Sequence, residues 1–357
     1  MTTFTCVDVF CGAGGLSLGL GSAGLDVILG LDIDPVCIKT LDSNPRFVKH
    51  PVLQADVRSM LAGRLLEIVG LQAGELDLLA GGPPCQGFSV QRTVGSDADD
   101  RNRLVNDYGN LVLETKPRFF LMENVVGLGG KRGRMVLEQF CQRMSRANYA
   151  IHHRTINACD FGVPQRRRRV FVVGERLNTG PLTFRWPSEE LHPAPTVRDA
   201  IGHLPPPPDD GSDHPNFPGH RADRLSAKNK QRLLALRQGE GRTHLPLELL
   251  ADCHRMSADV IGHRNVYGRM AWEDVAPTIT ARFDSFTRGK FGHPQQTRTI
   301  SLYEGALLQT FPAEYRFAGT KVEVARQIGN AVPPRLARVL GRAILAALDA
   351  QRAKQAS

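Results

Sequence analysis

Along the first half of the chain, apolar residues fall into short runs that each end at glycine or at an acid. Thr5-Cys6-Val7-Asp8-Val9-Phe10 predicts a strand, and Cys11-Gly12-Ala13-Gly14-Gly15 a turn of bare backbone. Leu16, Leu20 and Ala23 then recur at helical spacing as far as Gly24. A second strand, Val27 to Leu31, ends in Asp32, and a helix-like stretch opens at Pro35. Val52 to Val57 predicts a third strand with Asp56 at its end, and Leu76 to Ala80 a fourth. Pro117 to Met122 predicts a fifth, which runs into Glu123-Asn124-Val125. Strands separated by helical periods predict a parallel α/β sheet, in which ligands lie beyond the carboxyl ends of the strands.

Leu137, Phe140, Cys141 and Met144 mark an amphipathic helix, followed by strands near Ile151 to Asn157 and Val170 to Val173. Beyond Gly174 the texture changes, with Pro181, Pro187, Pro193, Pro195 and the run Pro205 to Pro208 breaking any regular sheet. One helix is expected there, Ala227 to Leu236, in otherwise irregular sequence up to Pro294. Regularity returns at Glu304 to Phe311. Pro333-Pro334 then opens a last helix with Leu336, Val339, Leu340 and Leu348 on one face. The polar stretch Gln91 to Arg103 reads as a loop.

Composition narrows the class. With 357 residues, 41% hydrophobic and 23% charged, the chain is long enough for two domains of ordinary globular character. Lys and Arg number 45 against 36 Asp and Glu, so the net charge of +9 suits a polyanionic partner. Seven cysteines without a Cys-x-x-Cys pair favour free thiols over a zinc cluster, so no metal is expected. The start of the chain lacks a leader pattern, and no run of about 18 apolar residues occurs, so a cytoplasmic protein without a membrane partner is expected.

Three stretches carry candidate chemistry. In Leu78-Leu79-Ala80-Gly81-Gly82-Pro83-Pro84-Cys85, a buried strand, a glycine pair and a stiff proline pair display one thiol, as the mounting of a nucleophile would. The glycine turn after the first strand, with Asp32 at the end of the second, suits an adenosine-like ligand whose ribose meets a carboxylate. A literal G-x-G-x-x-G at Gly19, Gly21 and Gly24 falls at the end of the helix and reads as coincidence. In Gln165-Arg166-Arg167-Arg168-Arg169, an extended backbone would put Gln165, Arg167 and Arg169 on one face and Arg166 and Arg168 on the other. Asp56 reads equally as an adenine ligand or a helix cap.

In order along the chain, Asp8 to Gly15, Gly81 to Ser89, Glu123-Asn124-Val125, Gln165 to Arg169, Leu308 to Pro312 and Gln327 to Pro334 resemble the DNA cytosine-5 methyltransferases of bacterial restriction-modification systems. The resemblance covers nearly all of the chain outside roughly 180 to 295, and the chain departs from the family's pattern at Tyr303 and Gly305. It implies an α/β fold: a doubly wound, Rossmann-like S-adenosylmethionine-dependent methyltransferase domain over 1–180 and 297–357, with a smaller target-recognition domain over 181–296. It implies Cys85 as nucleophile, Glu123 as the acid at the base, and Arg169 with Arg167 behind it at the base oxygen. Cofactor contacts are expected from Phe10, Gly12, Gly14, Gly15, Leu16, Asp32, Ile33, Asp56, Val57, Pro83, Leu104, Asn330 and Val332. Nucleic acid is expected at Gln86, Ser89, Gln91, Arg166, Arg168, Thr278 and Ile279.

The expected activity is methyl transfer to C5 of a cytosine flipped out of a specific duplex, by a monomer that works separately from a cognate endonuclease. Transfer RNA as substrate, a non-catalytic DNA-binding relative and a nucleotide-dependent dehydrogenase are the competing readings. The residues leave the recognition sequence open.

Overall fold

The structure, a computed structural model, describes residues 3–61, 63–84, 98–130, 133–177, 182–189, 193–250 and 266–356. Its chain forms two compact units: 1–157, 168–189 and 332–357 in the first, 158–167 and 190–331 in the second.

The first unit is a seven-stranded sheet built from β1 (Thr5–Val9), β2 (Asp26–Asp32), β3 (Val52–Gln54), β4 (Leu78–Gly81), β5 (Phe119–Val125), β6 (Tyr149–Asn157) and β7 (Arg168–Arg176). Their order across the sheet is β3-β2-β1-β4-β5-β7-β6. The first five strands run parallel, and β7 enters antiparallel between β5 and β6. Leu78, Leu79, Ala80 and Phe119 to Met122 are wholly buried, as strands covered on both faces require. Helices α1 (Gly15–Ala23), α2 (Pro35–Asp42), α3 (Arg64–Val69), α4 (Ala98–Thr115) and α5 (Arg134–Arg146) link the strands. Helix α4 takes in Ala98 to Arg103, which the sequence reading assigned to a loop. The apolar period of Val105, Tyr108, Leu111 and Val112, all buried, carries the helix back over that polar stretch.

The second unit holds α6 (Val197–Ile201), α7 (Ala227–Leu234), α8 (Leu302–Leu308) and α9 (Lys321–Asn330) amid irregular backbone. Its bounds differ from 181–296 because 297–331 pack with the residues before them. Arg298 grips Glu304 through two hydrogen bonds of 2.7 Å, and both side chains are buried. Gly305 has no room for a side chain, since a Cβ there would lie 2.2 Å from the ring of Phe283. Tyr303 stacks obliquely on Phe217, 5.3 Å between centroids. Both departures from the family's pattern therefore have a packing partner in this unit.

The last helix, α10 (Pro334–Ala356), belongs to the first unit and lies against α1. A Cβ on Gly19 would come within 2.2 Å of the Ala337 Cβ and 2.5 Å of the Pro334 carbonyl oxygen, and one on Gly341 within 2.8 Å of Ala23. Gly19 of the discarded glycine pattern is thus a packing residue, and Gly24 caps α1 in a left-handed conformation, φ 111°. Farther along, buried Glu175 of β7 accepts hydrogen bonds from Thr183 N–H (2.7 Å), Phe184 N–H (3.1 Å) and the Gln351 side chain (2.9 Å). Burial alone would raise its pKa, but His152, 3.7 Å away, and the bonds from Thr183 and Phe184 prevail and hold it at about 2.

Two expected outcomes follow from this packing. Gly19→Ala should destabilise the fold by about 1–3 kcal/mol through overpacking. Gly21→Ala, whose Cβ meets only Val27 at 3.9 Å, should stabilise it by about 0.5–1 kcal/mol, both read from urea unfolding. Because the pKa of Glu175 is lowered on folding, its contribution is complete above the unfolded value of about 4.5 and fades as the pH falls towards 2. Stability of the protein should therefore drop more steeply below about pH 5 than that of Glu175→Gln, by up to about 3 kcal/mol. Parallel slopes for the two proteins in that window would refute the assignment.

Candidate active site at the strand ends

Strand β1 pairs with β2 on one side and β4 on the other, so chain connections diverge on either side of it. In an open parallel sheet that point opens a crevice at the carboxyl ends. The glycine turn leaves β1 there, and the Gly82-Pro83-Pro84 turn leaves β4 next to it.

Backbone shape explains the glycines. Phe10, Gly12 and Gly14 have φ of 61°, 53° and 80°, in the left-handed region. A Cβ built on Gly12 would meet nothing within 4 Å, so bare backbone faces open space. Gly12 N–H donates to Asp32 Oδ2 at 2.8 Å, and Asp34 N–H donates to Oδ1 at 2.9 Å. These bonds fix the orientation of the carboxylate at the mouth of the glycine turn. Burial pushes the Asp32 pKa up, against the pull of these backbone bonds. Ile33 beside it is 61% exposed, an apolar platform next to the acid. Under the turn, buried Asp8 of β1 accepts from the Ser17 hydroxyl in the first turn of α1, which ties strand to helix. Burial raises the Asp8 pKa to about 7 despite that bond.

On the other side of β1, the end of β4 is shaped by what touches it. A Cβ on Gly81 would lie 2.7 Å from the Val9 carbonyl oxygen, and one on Gly82 3.4 Å from Glu123 Oε2. The Asn124 side chain donates to the Pro83 carbonyl at 3.0 Å and fixes the proline turn. Glu123 itself pairs with Arg169 of β7, Nε to Oε1 at 2.9 Å, and both side chains are largely buried. The antiparallel register, Val125 opposite Arg169, puts that guanidinium beside the β5 acid. An acid and a cation thus meet beside the Gly82-Pro83 turn.

Some expected residues lie elsewhere or do other work. Cys85, Gln86, Ser89 and Gln91 fall outside the described residues. Arg167 is held by partners of its own. It is 1% exposed, belongs to the second unit, and donates to the carbonyls of Ile279 (3.0 Å) and Gly329 (2.9 Å). The alternation of the arginine run holds in burial, yet the strand begins only at Arg168. Arg166 is exposed but paired with Asp274 through bonds of 3.0 and 2.7 Å, whereas Arg168 is simply exposed. Asp56 caps the short helix at Val57, accepts from Arg58 N–H at 3.0 Å, and pairs with the Arg58 guanidinium, which lowers its pKa. Val57, Leu16 and Gly15 are buried, and Leu104 is partly buried against the core. Asn330 lies in the second unit and Val332 in the first, at adjoining ends. The sequence reading missed Asn124 as the brace of the proline turn; its place directly after Glu123 was the available signal.

A sheet of this order, with a glycine turn and acid at β1 and β2 and an acid–arginine pair at β5, defines a Rossmann-like methyltransferase core. Residues 4–346 match the family described as C-5 cytosine-specific DNA methylase, and the chain belongs to that family. It is 35% identical to the Type II methylase M.HgiDII of Herpetosiphon aurantiacus, over 98% of this chain and 97% of that one. It is 34% identical to the Type II methyltransferase M1.HphI of Haemophilus parahaemolyticus, over 96% and 87%. Among solved structures, a prophage-encoded protein of E. coli assigned as a DNA modification methyltransferase aligns with a TM-score of 0.74 at 26% identity, over 97% of this chain and all of that one. DNMT2 of Spodoptera frugiperda shares the fold at 16% identity, with a TM-score of 0.61 over 96% of this chain and all of its own. The protein is a DNA cytosine-5 methyltransferase. No helix among the described residues is long and apolar enough to cross a membrane.

The two acids should separate in a binding experiment. Asp32→Asn should weaken affinity for the methyl donor about tenfold or more, since it unseats the Gly12 turn and removes a buried acceptor. Asp56→Asn, whose carboxylate is already engaged by Arg58, should change it by less than about threefold. Calorimetric titration of both variants checks this, and equal losses would mean that Asp56 leaves Arg58 for the ligand.

Proposed function

We propose that the protein takes its methyl group from S-adenosylmethionine and delivers it to a cytosine flipped out of one short duplex sequence. The observation that carries this reading is the Glu123–Arg169 pair, mounted against the Gly82-Pro83 turn one strand away from the Gly12–Asp32 cradle. The cradle fits an adenosyl group: open space over Gly12, a two-sided carboxylate at Asp32 and an apolar Ile33 beside it. Phe10, Gly14, Gly15, Leu16, Val57, Pro83, Leu104, Asn330 and Val332 would complete that site. When bound, S-adenosylmethionine supplies an electrophilic methyl group on a sulfonium.

The chain's own residues must make cytosine C5 nucleophilic. Cys85 as thiolate adds to C6, forming an S–C6 bond and leaving electron density at C5. Glu123 holds a proton at N3, which draws electrons out of the ring as the sulfur adds. Arg169 keeps the Glu123 carboxylate in place and offers positive charge to the base oxygen. After transfer, loss of the C5 proton to water lets the S–C6 bond break and restores the ring and the thiolate. A stacked base cannot be reached by Cys85, and extrusion costs about a few kcal/mol. Gln91 would fill the vacated space, with Gln86 and Ser89 lining the same strand.

The second unit would read the flanking bases, with Thr278 and Ile279 near the extruded base. Arg168 is an exposed cation available to phosphate, and Arg166 would reach phosphate by exchanging Asp274 for it. Kinship to Type II methyltransferases supports a partner endonuclease that acts separately, on the same DNA in the bacterial cytoplasm, with this chain working as a monomer.

Cys85→Ser should abolish transfer of tritiated methyl to DNA and leave S-adenosylmethionine binding intact, because a hydroxyl is far harder to ionise than a thiol. A duplex with 5-fluorocytosine at the target should trap a covalent adduct with the unaltered protein and none with the variant. Methylation by the serine variant at more than a trace would displace Cys85 as the nucleophile.

A further inference from the structure

Residues 165 to 167 are tied to two separate segments of the second unit. Gln165 and Arg167 are fully buried there, although only an isolated bridge, Gln165 with Ala276, makes this backbone sheet-like. Ile279 N–H donates to Gln165 Oε1 at 2.9 Å, and the Ile279 carbonyl accepts from Arg167 at 3.0 Å. The Thr278 hydroxyl donates to the Arg166 carbonyl at 2.6 Å. The pair Thr278-Ile279 is therefore fixed by three successive residues of the arginine run.

The other arm of Arg167 reaches the Gly329 carbonyl at 2.9 Å, immediately before Asn330. That segment is fixed independently as well. Gln309, 0% exposed, donates to the carbonyls of Ile328 (2.5 Å) and Ala331 (3.3 Å) while its oxygen accepts from Gln165 at 2.8 Å. Gly329 has no room to shift, as a Cβ there would lie 2.2 Å from the Thr280 carbonyl carbon. A guanidinium is a rigid planar fork, so the two carbonyls it holds share one geometry. Lysine, a single flexible ammonium, would not impose it.

We propose that Arg167 is a positioning residue that couples choice of DNA sequence to affinity for the methyl donor, by holding the Thr278-Ile279 pair and the Gly329-Asn330 segment on one buried cation. This rests on the reading that Thr278 faces the base, with the fully buried Ile279 holding it in place, and that Asn330 faces the cofactor. Its consequence is reciprocal: a bound donor sharpens discrimination between DNA sites, and the correct site tightens the donor by the same factor.

The test uses the full chain, S-adenosylhomocysteine as the donor analogue, and two duplexes. One carries the site that bisulfite sequencing shows to be methylated, the other the same site with one flanking pair changed. Fluorescence anisotropy gives the preference for the correct duplex with and without the analogue. In the unaltered protein the analogue should raise that preference about tenfold. In Arg167→Lys, and separately in Gln309→Met, which loosens the same segments without removing the cation, the gain should fall to below about twofold. Analogue affinity with the correct duplex bound should weaken in step, while thermal unfolding of the free protein shifts far less than a loss of coupling through unfolding would need. If Arg167→Lys fails to fold, Gln309→Met decides alone. An unchanged gain in a folded variant overturns the proposal, as does a fall in single-turnover rate with preference and analogue affinity both intact, which would return Arg167 to the chemistry. The underlying reading fails separately, if Thr278→Ala and Ile279→Ala leave the preference between duplexes unaltered.

Discussion

The contact between the first helix and the last, close enough that only glycine fits at Gly19 and Gly341, constrains the first unit most. Helix α10 packs on α1, and its Gln351 donates to Glu175 of β7, so the last helix is tied to the first helix and to the sheet. To bring α10 there, the chain must leave the sheet after β7, build a second unit and return. The return point is set by the same contact. Pro334, at the start of α10, has its carbonyl oxygen against Gly19, so Val332 and Pro333 are drawn to the helix that begins with the glycine turn.

At the strand ends, the same economy of space decides which side chains can act. Gly81 is bare because Val9 and Tyr108 occupy the volume that a side chain there would need, and Gly82 next to it lies in contact range of Glu123. Tyr108 lies buried beneath and shares its hydroxyl proton between the carbonyls of Leu79 and Leu121, 3.0 Å from each, which locks β4 to β5. Glu123 and Asn124 then divide two tasks between neighbouring positions: one carboxylate for Arg169, one amide for the Pro83 carbonyl. A largely buried ion pair is costly unless its geometry is excellent, and this one sits at 2.9 Å. Its placement at the site, where a carboxylate must be held still, supports a functional more than a stabilising role.

Most strands and the long helices were legible in the sequence because their cause is local: the runs at Val27 to Leu31 and Pro117 to Met122 announce buried parallel strands in a few residues. The glycine turn and Asp32 were legible for the same reason, turn chemistry and spacing being short-range. What the sequence hid is governed by distant partners. Gly19 looked like part of a chance pattern until Ala337 and Pro334 were seen against it. The second unit's bounds were hidden because Arg298, Glu304 and Phe283 join stretches that look unrelated in composition. Asp56 had two readings of equal standing, and the structure fills its carboxylate with Arg58. Cys85 was legible from its Gly-Gly-Pro-Pro mounting, again a local signal, whereas Gln86 and Ser89 beside it came from the resemblance alone.

The arginine run shows how far strand alternation can be trusted. Alternation correctly separates exposed Arg166 and Arg168 from inward Gln165, Arg167 and Arg169. It does not say that inward side chains share a destination. Between Arg167 and Arg168 the chain passes from one compact unit to the other, so Arg167 points into the second unit and Arg169 into the sheet. Two nitrogens of the buried Arg167 guanidinium donate to backbone carbonyls, those of Ile279 and Gly329. Arg169 pairs with Glu123. The two inward arginines differ, then, in partner as well as position: Arg169 is paired with an acid of the neighbouring strand, whereas Arg167 holds two chain segments by their backbone. Alternation thus sorts these side chains by burial, while the partners of each, an acid for Arg169 and two backbone carbonyls for Arg167, come from distant segments that alternation cannot see.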